Sequence, residues 1–545
     1  MARPPLQYLD RNTRLHTASG TTTTKKPAPK KSAPKKETTP TTSKRTATKP
    51  EAEEDAPALP AKKAASKKET APITSKKTAS KRKAEDEAPA PPAKKAKALK
   101  KGPVITEPPT QRLDVFVFGE GTAGELGLGT AKKAVDVKRP RLNPNLPADK
   151  VGVVQVAAGG MHVVALTHDN KILTWGVNDQ GALGRDTTWE GGLKDMDAGE
   201  SSDSEDDEDD NGLNPHESTP GEVDWAQTEV AEGTRWVDVT AGDSTTFALT
   251  DDGKVYGWGT FRSNEGIFGF STGVQIASRP MLIPDLTKIT SIKAGANHAL
   301  ALDSKGSVFA WGSGQQNQLG RRVVERTKAE GLKPREFGLP KGAKKGITSI
   351  ETGGYHSFAI SKTGDVYSWG LNNFGETGIP AHAGEDDAVI LKPQVIEAFK
   401  GKEIVCIKGA SHHSIAATST GDCMVWGRLD GAQMGLSKEE ILALPADDVV
   451  KDERDRARIL KIPHKVRAIK GKIVHVTASS DHNIAITREG KAWSWGFSAN
   501  FQTGLGTADD VEVATMIDNT AVREKRLNGA TTGGQFSIVT APAEV

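Results

Sequence analysis

The stretch ITSIETGGYHSFAISKTGDVYSWG, residues Ile347–Gly370, decides the fold. It reads as an apolar strand, a turn of small residues, a second apolar strand, a tight turn, and a third strand ending in Trp-Gly. The runs alternate as half-buried strands do. Gly364 in the tight turn supplies the positive φ of a hairpin. The unit is an antiparallel sheet, and its parts recur along the chain.

The aromatic–Gly strand occurs seven times: VFVFG (Val115–Gly119), ILTWG (Ile172–Gly176), VYGWG (Val255–Gly259), VFAWG (Val308–Gly312), VYSWG (Val366–Gly370), CMVWG (Cys423–Gly427) and AWSWG (Ala492–Gly496). The strand–small turn–strand element also occurs seven times, beginning at Val153, Val237, Ile289, Ile347, Ile404, Ile473 and Leu527. One such sheet has two open edges and cannot bury both faces, whereas seven around an axis can. The expected fold class is all-β, a seven-bladed β-propeller over residues 113–545. The chain opens on one element and closes on the other. Blade one should therefore be assembled from both termini, with Asp114–Phe118 beside Gly533–Val539. The repeated Trp175, Trp258, Trp311, Trp369, Trp426 and Trp495 read as packing between blades. Two insertions interrupt the pattern. One is acidic, at about 194–224, with ten acids between Asp195 and Asp210. The other, at about 437–462, is charge-rich and reads as a short helix.

Residues 1–112 have another texture, rich in Lys, Ala, Pro, Ser and Thr. Such a segment buries too little apolar surface to offset its ordering entropy, so a disordered tail is expected. It holds 27 Lys+Arg against 11 Asp+Glu, while the rest of the chain holds 46 against 59. Away from the acidic run the body is close to neutral, and a basic tail on a near-neutral body points to a polyanionic partner. KRKAEDEAPAPPAKKAK (Lys81–Lys97) places Lys81, Arg82 and Lys83 in one basic cluster and Lys94, Lys95 and Lys97 in another. Two clusters at this spacing suit a nuclear import receptor. The Lys-rich texture also suits DNA phosphates. Two cysteines make no disulfide framework, the N-terminus lacks the apolar run of a signal peptide, and no stretch approaches a membrane span. The chain reads as intracellular, with no membrane partner.

GEGTAG (Gly119–Gly124) matches a dinucleotide fingerprint, but the same loop recurs at Gly176–Gly184 and Gly370–Gly378 and no helix is expected after it. No phosphate-loop, H-E-x-x-H or C-x-x-C pattern is present. Neither a metal, a cofactor nor covalent catalysis is expected. A histidine recurs in the small-residue turn: His162, His298, His356, His413 and His482. Five equivalents fit an architectural bond to neighbouring backbone. Polar residues displayed on one rim also fit a recognition surface. The departures are Asp243 in place of a Gly, Asn297 before His298, and His412 beside His413. TFRSNEGIFGFS (Thr260–Ser271) is unlike the loop after any other Trp-Gly. It reads either as a projecting hairpin or as a loop packing its apolar residues down.

These features resemble the regulator of chromosome condensation family across residues 113–545. AGGMH (Ala158–His162), NDQGALGRDT (Asn178–Thr187), AGDS (Ala241–Ser244) and WGTFRSNEGIFG (Trp258–Gly269) carry the likeness beyond the bare repeat. The resemblance implies guanine-nucleotide exchange on the small GTPase Ran at chromatin in the nucleus. It implies that Thr260–Gly269 is a wedge, with Phe261, Asn264, Glu265, Gly266 and Ile267 facing the GTPase. It places Asp243 and His413 where exchange residues stand, and His162, Asn297 and Arg321 at further GTPase-facing positions. The family often has Asp at the position of Asn297, so a charge is lost there. The Arg-rich loop Arg321–Lys328, with Arg321, Arg322 and Arg326, could pair with an acidic histone surface of the nucleosome. Two other classes are possible: a chromatin-binding scaffold that exchanges nothing, and a propeller hydrolase or lyase. No nucleophile–base pair supports the latter.

Overall fold

The structure, a computed structural model, describes residues 99–191 and 212–544. The expected import clusters at 81–97 and the acidic run at 195–210 lie outside the described residues.

Seven sheets form the propeller. Blade two shows the plan. Val153–Ala158 is innermost, followed outward by His162–Thr167, Ile172–Gly176 and the short outer strand Gly221–Glu222. Blades three, four, five and seven repeat this order, starting from Trp236–Ala241, Ile289–Ala294, Ile347–Thr352 and Ile473–Ala478. Second strands are buried along their whole length in blades two, three, six and seven, because both of their faces meet neighbouring blades.

Blade one closes the ring from both ends. Leu113–Glu120 pairs antiparallel with Phe536–Pro542, with Val115 opposite Thr540 and Gly119 opposite Phe536. This is the closure read from the phase of the repeats.

The charged insertion in blade six is more than a helix. Lys438–Leu442 is a single helical turn closed by a capping box, in which Ser437 and Glu440 satisfy each other's backbone N–H. The segment then returns as Val449–Lys451 and Ala457–Lys465, which add two strands outside Cys423–Arg428.

Ordered contacts also begin earlier than residue 113. Lys101 Nζ lies 2.7 Å from the Asp251 carboxylate, whose side chain is fully buried. Gly102 N–H donates to Asp252 at 2.8 Å, Ile105 N–H to the Asp251 carbonyl at 2.7 Å, and Arg235 pairs with Glu107. The segment thus lies along the Thr250–Val255 turn of blade three. The bulk composition of residues 1–112 hid this short, specifically bonded end.

The tryptophans do join blades. Each of the six indoles is at most 1% exposed. Trp175, Trp258, Trp369, Trp426 and Trp495 donate their N–H to the carbonyls of Glu125, Ala182, Gln318, Glu376 and Gln433, all on the preceding blade.

Candidate functional site

The small-residue turns meet around the axis at one end of the propeller. Gly534 N–H donates to the Gly160 carbonyl, Gly160 N–H to Gly242, Asp243 N–H to Ala296, and Gly354 N–H to Ala410. The approach is too close for side chains at some positions. A Cβ on Gly159 would lie 2.2 Å from the Gly242 carbonyl oxygen. The loops that follow the aromatic–Gly strands open on the same rim.

Asp243 stands in this ring where blade two has Gly160. Its side chain is exposed at the mouth of an axial cavity of about 580 Å³. The carboxylate reaches solvent, yet the surrounding rim strips enough water from it to raise its pKa, and Arg262 opposes that rise. Asp243 and Arg262 together border two smaller cavities, one on either side of the base of Thr260–Ser271.

That segment is a hairpin. Phe261–Ser263 pairs with Gly266–Gly269, with Arg262 opposite Ile267 and Ser263 opposite Gly266. Gly266 turns the tip at φ 107°, a backbone conformation that favours glycine. Arg262, Asn264, Glu265 and Ile267 are exposed, Ile267 at 47%. The apolar packing occurs at the root: Phe261 and Phe270 are buried, stacked at 6.2 Å, and both lie beside Phe247. Phe261 is therefore an anchor of the hairpin and not a surface contact. Of the two sequence readings, the tip follows the projecting one and the root the packing one.

Asn297 has a specific task. It is 9% exposed, and its Oδ1 accepts the Arg262 backbone N–H at 2.7 Å. An acceptor is required there and a charge is not, so Asn serves as well as Asp.

The recurring histidines prove architectural, though their partners are side chains of the next blade. His162 bonds Thr246, His298 bonds Ser357, His356 bonds Ser414, His413 bonds Asn483 and His482 bonds Ser537, all within 2.7–2.9 Å. Thr246, Ser414 and Ser537 each give their single hydroxyl proton to a carbonyl, of Ala182, Glu376 and Gln502. The histidine Nε2 must then be the donor, as it must toward the Asn483 oxygen. Burial lowers these imidazoles from an ordinary 6.5 to about 4 for His162 and His413 and about 3 for His298, His356 and His482. His162 and His413 are 1% and 0% exposed, so neither presents a surface to a partner.

Arg321 is likewise turned inward. Its guanidinium donates to the Glu330 and Lys333 carbonyls, much as Arg185 of blade two donates to the Thr174 and His216 carbonyls. It closes its own loop. Arg322 and Arg326 are exposed on that loop, which contains the 3-10 segment Glu325–Leu332. Two residues that touch the hairpin were not singled out from the sequence: Gln315 and Lys328. Gln315 sits in an ordinary copy of the blade loop and Lys328 in a run of charges, so neither stood out.

No group of three or more His, Cys, Asp or Glu arranged to hold a metal lies among the described residues, and no helix there is long and apolar enough to cross a membrane.

The pattern described as the RCC1-like domain matches residues 114–539. Guanine nucleotide exchange factor SRM1 of Saccharomyces cerevisiae is 42% identical over 78% of this chain and 87% of its own length. Protein pim1 of Schizosaccharomyces pombe is 41% identical over 80% and 76%. Human regulator of chromosome condensation is 29% identical over 78% and 90%. A crystal structure of Prp20p from Saccharomyces cerevisiae, described with its binding to Gsp1p and histones, superposes with a TM-score of 0.71 at 38% identity, covering 81% of this chain and 94% of that one. Yeast RCC1 (Prp20) bound to Kap60 superposes equally well at 36% identity, covering 84% and 97%.

Proposed function

The chain belongs to the RCC1-like domain family, and from that premise we propose that it is a guanine-nucleotide exchange factor for the small GTPase Ran, acting at chromatin without covalent chemistry. The observation that carries this reading is the hairpin Phe261–Gly269 standing beside the exposed Asp243 on one rim. A scaffold needs neither a projecting hairpin nor an exposed acid beside its base.

A GTPase holds its nucleotide through phosphate-loop amides, a lysine and Mg²⁺. A factor that binds the empty GTPase better than the loaded one must weaken nucleotide binding by the same ratio. The tip Asn264-Glu265-Gly266-Ile267 enters the phosphate region. The Asp243 carboxylate receives basic groups that the phosphates release. Asn297, His162, His413 and Arg321 contribute by holding the rim and hairpin in shape. The test is release of fluorescent GDP from Ran with catalytic amounts of the chain. Release at the intrinsic rate would make the chain a scaffold.

Chromatin binding is divided. The lysines of the tail neutralise DNA phosphates, while Arg322 and Arg326 pair with an acidic histone face. Lys81–Lys83 and Lys94–Lys97 engage a nuclear import receptor, in keeping with the Kap60 complex of the yeast relative. Deleting residues 1–98 should flatten the salt dependence of DNA binding and leave exchange on free Ran unchanged. The cut stops before Lys101 because that residue pairs with buried Asp251. An unchanged salt slope would remove the tail from DNA binding.

A further inference from the structure

The hairpin springs from blade three, but blade four holds it. Beyond the Asn297 bond at its base, Asn264 N–H at the tip donates to Gln315 Oε1 at 3.0 Å. Lys328 Nζ lies 2.8 Å from Glu265 Oε2 and 2.6 Å from Glu325 Oε1. Gly331 and Leu332 close the side: a Cβ on Gly331 would meet the Phe268 ring at 3.7 Å, and one on Gly269 would meet Leu332 at 3.4 Å. Between the hairpin and the blade-four loop lies a cavity of about 180 Å³, bordered by Arg262, Asn264, Asn297, Gln315 and Tyr355.

A two-stranded hairpin is marginal by itself. One with space behind it yields when pushed unless something braces its tip. Displacing a phosphate loop requires the tip to stay in place against the loop's resistance. We propose that Gln315 and Lys328 are positioning residues that brace the hairpin tip from blade four, so that the force of GTPase docking displaces the phosphate loop and not the hairpin. The inference rests on the exchange reading above.

The brace makes a distinctive kinetic demand. Docking uses the whole rim and survives a loose tip, whereas displacement of the nucleotide does not. The double variant Gln315→Ala/Lys328→Met should lower kcat for GDP release about tenfold, with KM changed less than about twofold. Gln315→Glu keeps the acceptor and Lys328→Arg keeps the charge, so this pair should restore most of kcat. Hydrogen exchange gives a readout apart from activity: the Asn264 amide should lose protection in the Ala/Met variant and keep it in the Glu/Arg variant. A wild-type chain that releases no GDP sinks the exchange reading itself. If the wild type is active, a double variant with wild-type kcat overturns the brace. So does an equal loss in the Ala/Met and Glu/Arg pairs, or a loss confined to KM.

Discussion

The joint between blades three and four differs from every other joint in the ring, and the contrast with the joint between blades five and six is the most instructive. At five–six, His356 bonds Ser414, Ser414 bonds the Glu376 carbonyl, and Trp426 donates to the same carbonyl. At three–four every part of that relay is replaced. Thr245 stands for the histidine, Ala299 for the serine, and the hairpin for the loop that would offer the carbonyl. The Trp311 indole N–H and the Thr245 hydroxyl are buried without partners. Phe247, Phe261, Phe270 and Trp311 fill the joint in their place, with Phe247 edge-on to Trp311 at 5.6 Å. The projecting hairpin thus costs the fold one polar joint, and an aromatic cluster offsets part of the loss. Orphaned buried donors are uncommon and cost about 1–3 kcal/mol each.

Acid should test the polar joints most strongly. Five relay histidines are held neutral in the folded chain with pKa values of about 3 to 4, against 6.5 when free. Once the pH falls below 6.5, the unfolded chain takes up protons that the folded chain refuses. Stability is therefore full above pH 6.5 and falls as the pH drops toward 4, by about 1.4 kcal/mol per histidine per pH unit at the limit. The thermal midpoint should drop steeply between pH 6.5 and 5, and His413→Gln should make the drop shallower. A flat profile over that window would contradict the neutral relays.

Removing the hairpin comes next in size. Replacing Asn264–Ile267 with a Gly-Ser turn should leave the circular dichroism and thermal midpoint nearly unchanged, since the anchors Phe261 and Phe270 remain. GDP release at saturating Ran should fall about a hundredfold, the scale on which misplaced groups cost rate. Recovery at high Ran would make the tip an affinity contact only. Asp243→Ala should also slow exchange, with little change in stability, because its side chain packs on the rim and not in the core.

The smallest effect compares the two indoles directly. Trp426→Phe removes a donated bond to the Glu376 carbonyl, whereas Trp311→Phe removes an N–H that has no acceptor. The first should destabilise more than the second by about 1–3 kcal/mol, read from denaturant midpoints. Equal losses would mean that the Trp311 N–H is satisfied in solution.

This contrast also explains what could be read from the sequence. Sevenfold repetition exposed the three inner strands of each blade and the closure at the termini, because both are written in apolar residues. The hairpin was visible because Thr260–Ser271 matches no other loop. The outer strands were not visible. Asp136–Leu142 buries only Val137 and Pro140, and Arg335–Glu336 has just two residues. Such strands are held by backbone ladders, which leave little pattern in the side chains. The site residues divided for a related reason. Asp243 stood out by placing a charge where the other copies of the turn have Gly, Ala or Ser. Phe261 and Arg321 look like contacts in the sequence, but they anchor and brace, since burial depends on neighbours distant along the chain.

The rim acts by emptying a GTPase of its nucleotide. The most direct measurement is the release of fluorescent GDP from Ran, in excess unlabelled nucleotide, with the chain far below the Ran concentration. Release should run well above the intrinsic rate, in proportion to the amount of chain, and fall about a hundredfold when the hairpin tip is replaced. Release at the intrinsic rate, or acceleration undiminished by the loss of the tip, would contradict this role of the rim.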